Sequence, residues 1–325
     1  MNRISNGILY MILVLVAGLI YLSIPDGKTP PSTSSLVEPD SSWIAPSLHV
    51  DQQLEGEERQ LVIYGQDLIA HTARYLGPKG SVQAISNGMN CQNCHLNAGK
   101  RIDGNNYSAV FSTYPKFRDR SGGMETIYKR VSDCFQRSLN GQAPDSNSRE
   151  YQAIHAYIKW LGKEVTKGDK PKGSGIPKIP FLNRAADPAK GQLVYQNQCQ
   201  SCHGANGEGQ LNLAGNEYEY PPLWGANSFN VSAGLFRLSN MAGYVYTNMP
   251  YNQAWPGKPK LTVEESWDVS AYVNSKSRPD KKFAEDWPNI AKKPFDHPFG
   301  PHTDGFSEQQ HKYGPFKPIL AARNK

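Results

Sequence analysis

Two short strings constrain this chain more than anything else in it: Cys91-Gln92-Asn93-Cys94-His95 and Cys199-Gln200-Ser201-Cys202-His203. The pattern C-x-x-C-H is that of covalent c-type haem attachment. Two thiols three positions apart reach the two vinyl groups of one porphyrin, and the adjacent His turns beneath the ring to bind its iron. A redox-active CxxC pair or half of a zinc ribbon accounts for one such string; two strings with His at the same offset select haem. The expectation is two covalently bound haem c groups (iron), held through Cys91, Cys94, Cys199 and Cys202, with His95 and His203 as axial ligands. The fold class that follows is mainly α, with two tandem class I cytochrome c-like domains. One thiol, Cys134, is left over.

The flanking segments set the organisation. Residues 8–24 form an apolar run of 17 residues that ends at Pro25-Asp26 without a small-residue cleavage site. An uncleaved N-terminal membrane anchor is favoured over a removed signal segment. Either way the chain is exported, to the periplasmic side of the inner membrane or, after cleavage, to the soluble periplasm. Residues 25–50 are Pro/Ser-rich and read as a tether. Haem domain 1 is expected over 51–165, a Lys/Pro/Gly-rich linker over 166–185, haem domain 2 over 186–277, and a C-terminal extended strap over 278–325. The linker lysines read most simply as a solvated connector. The strap is rich in aromatics, including Phe283, Trp287, Phe295 and Phe299, which a free tail seldom carries. His297, His302 and His311 within it read as ordinary surface residues. A net charge of +6 over 325 residues is too small to indicate nucleic acid as a partner.

The two domains read as one unit repeated. Each opens with a helix, over 57–76 with an apolar face of Leu61, Tyr64, Leu68, Thr72 and Tyr75, and over 187–198 with Gly191 and Tyr195 four apart. Each closes with another: Ser148 caps 149–161, and Thr262 with Glu265 makes a capping box for a helix to about Asn274. Between them, Cys134 lies 39 residues beyond His95 and 15 before Arg149, whereas Met249 lies 46 beyond His203 and 14 before Val263. Cys134 thus stands in the first unit where Met249 stands in the second, in the slot that supplies the sixth iron ligand. Met241 competes with Met249; Met124, His71 and His155 compete with Cys134. Thiolate ligation lowers a haem's potential, and His/Met ligation raises it.

Residues 120–141, RSGGMETIYKRVSDCFQRSLNG, carry a more specific likeness. Over residues 57–276 the chain resembles the tetrathionate-forming thiosulfate dehydrogenases, which are dihaem c-type cytochromes. The resemblance implies His/Cys ligation of the first haem through Cys134, and substrate-site residues at Arg120, Arg130 and Ser138. It implies a Met ligand at Met249 for the second haem. Some members carry Lys before that Met and exchange ligands with redox state; Asn248 stands here, so His/Met ligation is expected in both states. Arg120 and Arg130 suit the clamping of a sulfonate by charge-assisted hydrogen bonds, although arginines also pair with propionates or carboxylates.

The implied activity is oxidation of two thiosulfates to tetrathionate, or its reverse. Electrons would pass through the second haem to an acceptor cytochrome, soluble or in the membrane. A non-catalytic dihaem electron carrier and a haem-based sensor of small ligands are the alternatives. Within sulfur chemistry, oxidation of sulfur held on a partner carrier protein is a further one.

Overall fold

The computed structural model describes residues 43–48, 51 and 53–323. The expected anchor at 8–24 and nearly all of the tether fall outside them. Among the described residues no helix is long and apolar enough to cross a membrane.

The first unit comprises α1 (Gly56–Ala70), a hairpin of β1 (Lys116–Arg118) and β2 (Gly123–Glu125), α2 (Ile127–Arg137) and α3 (Arg149–Leu161). The second comprises α4 (Pro188–Gln198), a small hairpin of β3 (Gln210–Leu211) and β4 (Tyr218–Tyr220), α5 (Leu238–Asn248) and α6 (Val263–Ser275). Local chemistry sets the helix starts. Thr126, Ser148 and Asp187 each accept a hydrogen bond from a first-turn amide, and Thr262 with Glu265 forms the expected reciprocal box.

In each unit the opening helix crosses the closing helix at a glycine. A Cβ on Gly65 would stand 2.0 Å from the Ala153 carbonyl oxygen, and one on Gly191 would stand 1.9 Å from that of Asp268. Only a residue without a side chain permits this approach. A buried tyrosine then ties each helix pair to the chain just past its haem histidine. Tyr157 donates to Ala98 O (2.8 Å) and Tyr195 donates to Gly204 O (2.6 Å).

The first helix departs from its expected course. It ends at Ala70, because His71 turns out of helical geometry (φ −131°, ψ 44°) before a short helix over Thr72–Leu76. The buried face is Val62, Gly65, Leu68 and Ile69, with Leu61 and Tyr64 only partly covered. The break serves the haem turn. Thr72 Oγ1 accepts the Cys91 amide at 3.0 Å, while His71 Nδ1 meets Glu217 of the second unit at 3.0 Å.

The two units share one apolar core. Tyr107, Phe135 and Tyr157 of the first belong to the same buried cluster as Tyr195, Phe229 and Met241 of the second. The segment expected to be a solvated connector is held between them. Gly173 O and Gly175 O accept the Asp103 and Asn105 amides, Pro177 O faces Gly243, and Pro180 O accepts the Trp267 indole N–H. Its backbone carbonyls serve as acceptors, which is why a polar composition still packs.

Beyond residue 277 the chain is not a simple extended strap: it runs through turns and a short 3-10 helix (Ile290–Lys292), then forms α7 (Glu308–Tyr313) and α8 (Phe316–Arg323). Phe316 and Ile319 close a second apolar cluster with Trp267 and Leu238. The histidines expected at the surface here are enclosed. His311 and His297 are buried, and both ring nitrogens of His302 are inaccessible. His311 bridges Phe295 O and Asp304, both at 2.7 Å, so its polar atoms are satisfied inside.

Candidate active site

Each haem motif is built on a turn that its neighbours hold rigid. Asn90 caps the first, receiving the Ala73 amide on its side-chain oxygen (2.8 Å) and donating its own amide to Asn93 (2.7 Å). His95 Nδ1 lies 2.6 Å from Asn105 O, and His203 Nδ1 lies 2.8 Å from Pro221 O. A backbone carbonyl can only accept, so the proton sits on Nδ1 and Nε2 is left free for a metal. Burial keeps both rings neutral, lowering His95 to about 4 and His203 in the same direction. Tyr107 stacks on the His95 ring, with centroids 4.5 Å apart.

Burial pushes the thiols of Cys91, Cys94 and Cys199 up to about 12. A redox CxxC pair needs the opposite shift, toward a stable thiolate. The neutral, oriented histidines and apolar thiols fit covalent haem.

Around His203 lies a cavity of about 530 Å³. Cys199, Cys202, Met241 and Met249 line it, and so do Asn93 and Cys94 of the first motif. The first attachment turn is therefore part of the wall of the second site. Tyr244 crosses the same boundary, donating its hydroxyl to Asn93 O at 3.1 Å. Both candidate methionines reach the cavity. Met241 is buried on α5, whereas Met249 sits at the end of that helix, where the backbone leaves helical geometry (φ −121°, ψ 145°).

In the first unit α2 brings Cys134 into the same electrostatic neighbourhood as Cys91, Cys94, Tyr107 and Tyr114. Its rivals lie elsewhere. Met124 is on β2 and 66% exposed, His71 engages Glu217, and the His155 ring stacks on Tyr128 at 4.4 Å. Arg130 stands one turn before Cys134, whose charge raises the Arg130 pKa. Arg120 is enclosed enough that burial, with Arg137 and Arg130 nearby, lowers it to about 10. Neither Arg120 nor Arg130 pairs with a carboxylate among the described residues, whereas Arg118 reaches Glu125 (4.0 Å) and Arg137 reaches Asp286 (2.6 Å). Ser138 caps the end of α2, its amide on Cys134 O at 2.8 Å. The arrangement is a thiol one helical turn from Arg130, with Arg120 near Arg130 and neither guanidinium held by a carboxylate among the described residues, a geometry suited to a small anion.

Comparison with known proteins agrees with this geometry. Residues 81–166 match the cytochrome c domain of the SoxA/TsdA family, and residues 188–277 match cytochrome c. The thiosulfate dehydrogenase of Thiomonas intermedia (strain K12) is 35% identical over 220 residues, which cover 68% of this chain and 67% of that protein. That of Stutzerimonas stutzeri (strain A1501) is 34% identical over 220 residues, covering 68% of each. The chain belongs to the thiosulfate dehydrogenase family. A solved thiosulfate dehydrogenase (TsdBA) from Marichromatium purpuratum, in its as-isolated form, superposes with a TM-score of 0.68 at 33% identity. The alignment covers 75% of this chain and 51% of that one, so the chain spans about half the length of the solved relative. With two cytochrome c domains, the chain carries two covalently bound c-type haems.

Several residues that shape the site had no sequence signal of their own. Glu217 enters the first unit from the second and takes hydrogen bonds from His71 and Asn90. Ser232, also of the second unit, presents its carbonyl to Arg120 Nη1 at 3.1 Å. Trp287, noted only as one of several C-terminal aromatics, lies against Arg120 with the guanidinium carbon 5.4 Å from the ring centroid.

Proposed function

We propose that the chain couples two thiosulfate dianions into one tetrathionate dianion, releasing two electrons, with Cys134 as the reacting residue. Arg120 and Arg130 hold the sulfonate end, and the outer sulfur of the first thiosulfate bonds to Cys134 Sγ as two electrons leave. The second thiosulfate attacks that outer sulfur, tetrathionate departs, and Cys134 returns as the thiolate. Ser138, one turn beyond Cys134, would donate to the bound anion. What the haems supply when bound is a sink for the two electrons, one each. His95 and Cys134 would hold the first iron, His203 and Met249 the second, in both redox states. Family membership supports this reading, and the observation that carries it is Arg130 one turn from Cys134, with Arg120 near Arg130 and neither held by a carboxylate among the described residues.

The sequence of electron transfer belongs to the same proposal. A thiolate-ligated, low-potential site feeding a His/Met site gives the flow a direction, toward an acceptor cytochrome. The shared wall at Asn93 and Cys94 supports a short path between the two. We place the protein on the periplasmic side of the inner membrane, anchored by residues 8–24.

The test is anaerobic. Thiosulfate added to the oxidised protein reduces its haems and yields tetrathionate, and Cys134→Gly, with both haems still attached, does neither. Turnover retained in that variant would sink the mechanism. A wild type that stays oxidised would move the chain to the electron-carrier reading.

A further inference from the structure

Residues 278–325 lie beyond both family matches, the second of which ends at residue 277. Part of that segment nevertheless stands against the site just described. Arg120 belongs to the loop between β1 and β2, and what fixes it comes from elsewhere. Its Nη1 donates to Ser232 O (3.1 Å), its carbonyl accepts the Trp287 amide (2.7 Å), and its guanidinium lies against the Trp287 ring.

Trp287 is itself held in an unfavourable pose. Its φ is +62°, a left-handed geometry that bulky side chains rarely adopt. Such a residue persists only when its surroundings over-determine it. Here they do: the indole N–H donates to His297 Nε2 at 3.2 Å, and the next residue, Pro288, packs on Gly122 so closely that a Cβ there would meet Pro288 Cγ at 2.6 Å. One residue earlier in the chain, Asp286 grips Arg137 with two hydrogen bonds of 2.6 and 2.8 Å, and the Phe283 ring centroid lies 3.9 Å from the Arg137 guanidinium carbon.

The same short segment thus treats two neighbouring arginines in opposite ways. Arg137 receives a carboxylate and is neutralised. Arg120 receives a carbonyl and a ring face, which orient a guanidinium without cancelling its charge.

We infer that Trp287 is a positioning residue of the dianion site, holding Arg120 in place so that the C-terminal segment is part of the substrate-binding apparatus. This rests on the reading of Arg120 as a holder of the thiosulfate sulfonate. The experiment uses the full-length holoprotein as wild type, Trp287→Leu and Trp287→Phe. Two quantities are measured: steady-state kinetics with thiosulfate, and calorimetric binding of sulfate, a dianion the protein cannot oxidise, to the oxidised form. Trp287→Leu should raise KM and the sulfate Kd about tenfold with kcat held within about twofold, and the haem absorbance spectrum unchanged. Trp287→Phe, which keeps a ring face, should recover most of both.

Unchanged KM and Kd in Trp287→Leu would overturn the inference. So would a fall in kcat with a disturbed haem spectrum that Trp287→Phe shares, since that marks a merely structural role. If Trp287→Leu does not assemble, Trp287→Met, which also lacks a ring face, takes its place, an increase of KM or Kd supporting the inference and wild-type values overturning it. A wild type that binds sulfate but leaves thiosulfate untouched sinks the thiosulfate reading alone, and the sulfate Kd values then judge Trp287. A wild type that binds no sulfate overturns the inference.

Discussion

In the first unit α1 meets α3 at Gly65, over Ala153 and Tyr157; in the second α4 meets α6 at Gly191, over Asp268 and Tyr272. The spacing from the carbonyl to the tyrosine is four residues in both, and each crossing sets a frame around a neutral histidine oriented by a backbone carbonyl. The residues proposed for the sixth positions then diverge. Cys134 rides on a helix with Arg130 one turn away and Arg120 nearby, whereas Met249 closes a cavity walled by apolar residues such as Phe229, Leu235 and Val269. A frame can be duplicated while the charge around its open end is rewritten. On the proposed function, the rewriting separates a place where a dianion binds from a place through which an electron passes.

The sharpest way to break that division is to exchange the sixth residues. Cys134→Gly should lower thiosulfate turnover by about a thousandfold or more, as loss of a reacting residue does, with two haems per chain still found by pyridine haemochrome assay. Met249→Gly should instead leave the first reduction by thiosulfate intact in stopped-flow absorbance and slow later turnovers. Equal losses at both positions would erase the distinction. Next in size, Arg130→Gln should cost about 1.5–3 kcal/mol of transition-state binding, roughly ten- to a hundredfold in kcat/KM.

The shared frame is tested by Gly65→Ala and Gly191→Ala. Each drives a methyl group into a carbonyl oxygen, so each should destabilise by about 1–3 kcal/mol in chemical denaturation. Nearly equal values would confirm that the two crossings are equivalent. Tyr244→Phe removes the hydrogen bond to Asn93 that joins the units, at about 0.5–1.5 kcal/mol, and should slow electron transfer between the haems more than reduction of the first.

The smallest effect concerns the C-terminal segment. Burial holds His297 at about 3 against an ordinary value of 6.5, so the folded chain binds fewer protons there than the unfolded chain. Its contribution is whole above pH 6.5 and is lost as pH falls toward 3. Thermal melts of His297→Leu should therefore lose less stability between those values than the wild type. An identical pH dependence would remove His297 from the account. Protonation would also place N–H against the Trp287 indole N–H, so the acid loss and the hold on Arg120 share one hinge.

Much of this was legible in the chain. The haem strings, the helix caps at Ser148 and Thr262, and the Gly191/Tyr195 spacing are local patterns, and local chemistry decides them. The partner glycine, Gly65, was hidden inside an apparently apolar face of Leu61, Tyr64 and Leu68, because hydropathy weighs what a side chain adds and not what its absence permits. The break at His71 was equally silent: the helix pattern continues through it, and only Glu217, 146 residues away, gives the ring a reason to turn out. The linker looked solvated because its composition is polar, yet its carbonyls are consumed by Asp103, Asn105 and Trp267.

What belonged to the residue order alone was the chemistry of bonded neighbours: two thiols and a histidine at fixed spacing, twice over, hence two covalent haems, and a helix wherever a cap precedes a period. What folding added was the assignment of charge. Arg120 and Arg137 look alike in the chain. Asp286, 149 residues from Arg137, neutralises one, while Ser232 and Trp287 orient the other and leave it charged. That outcome depends on distances between segments remote in the chain, and distance and burial set how strongly charges interact.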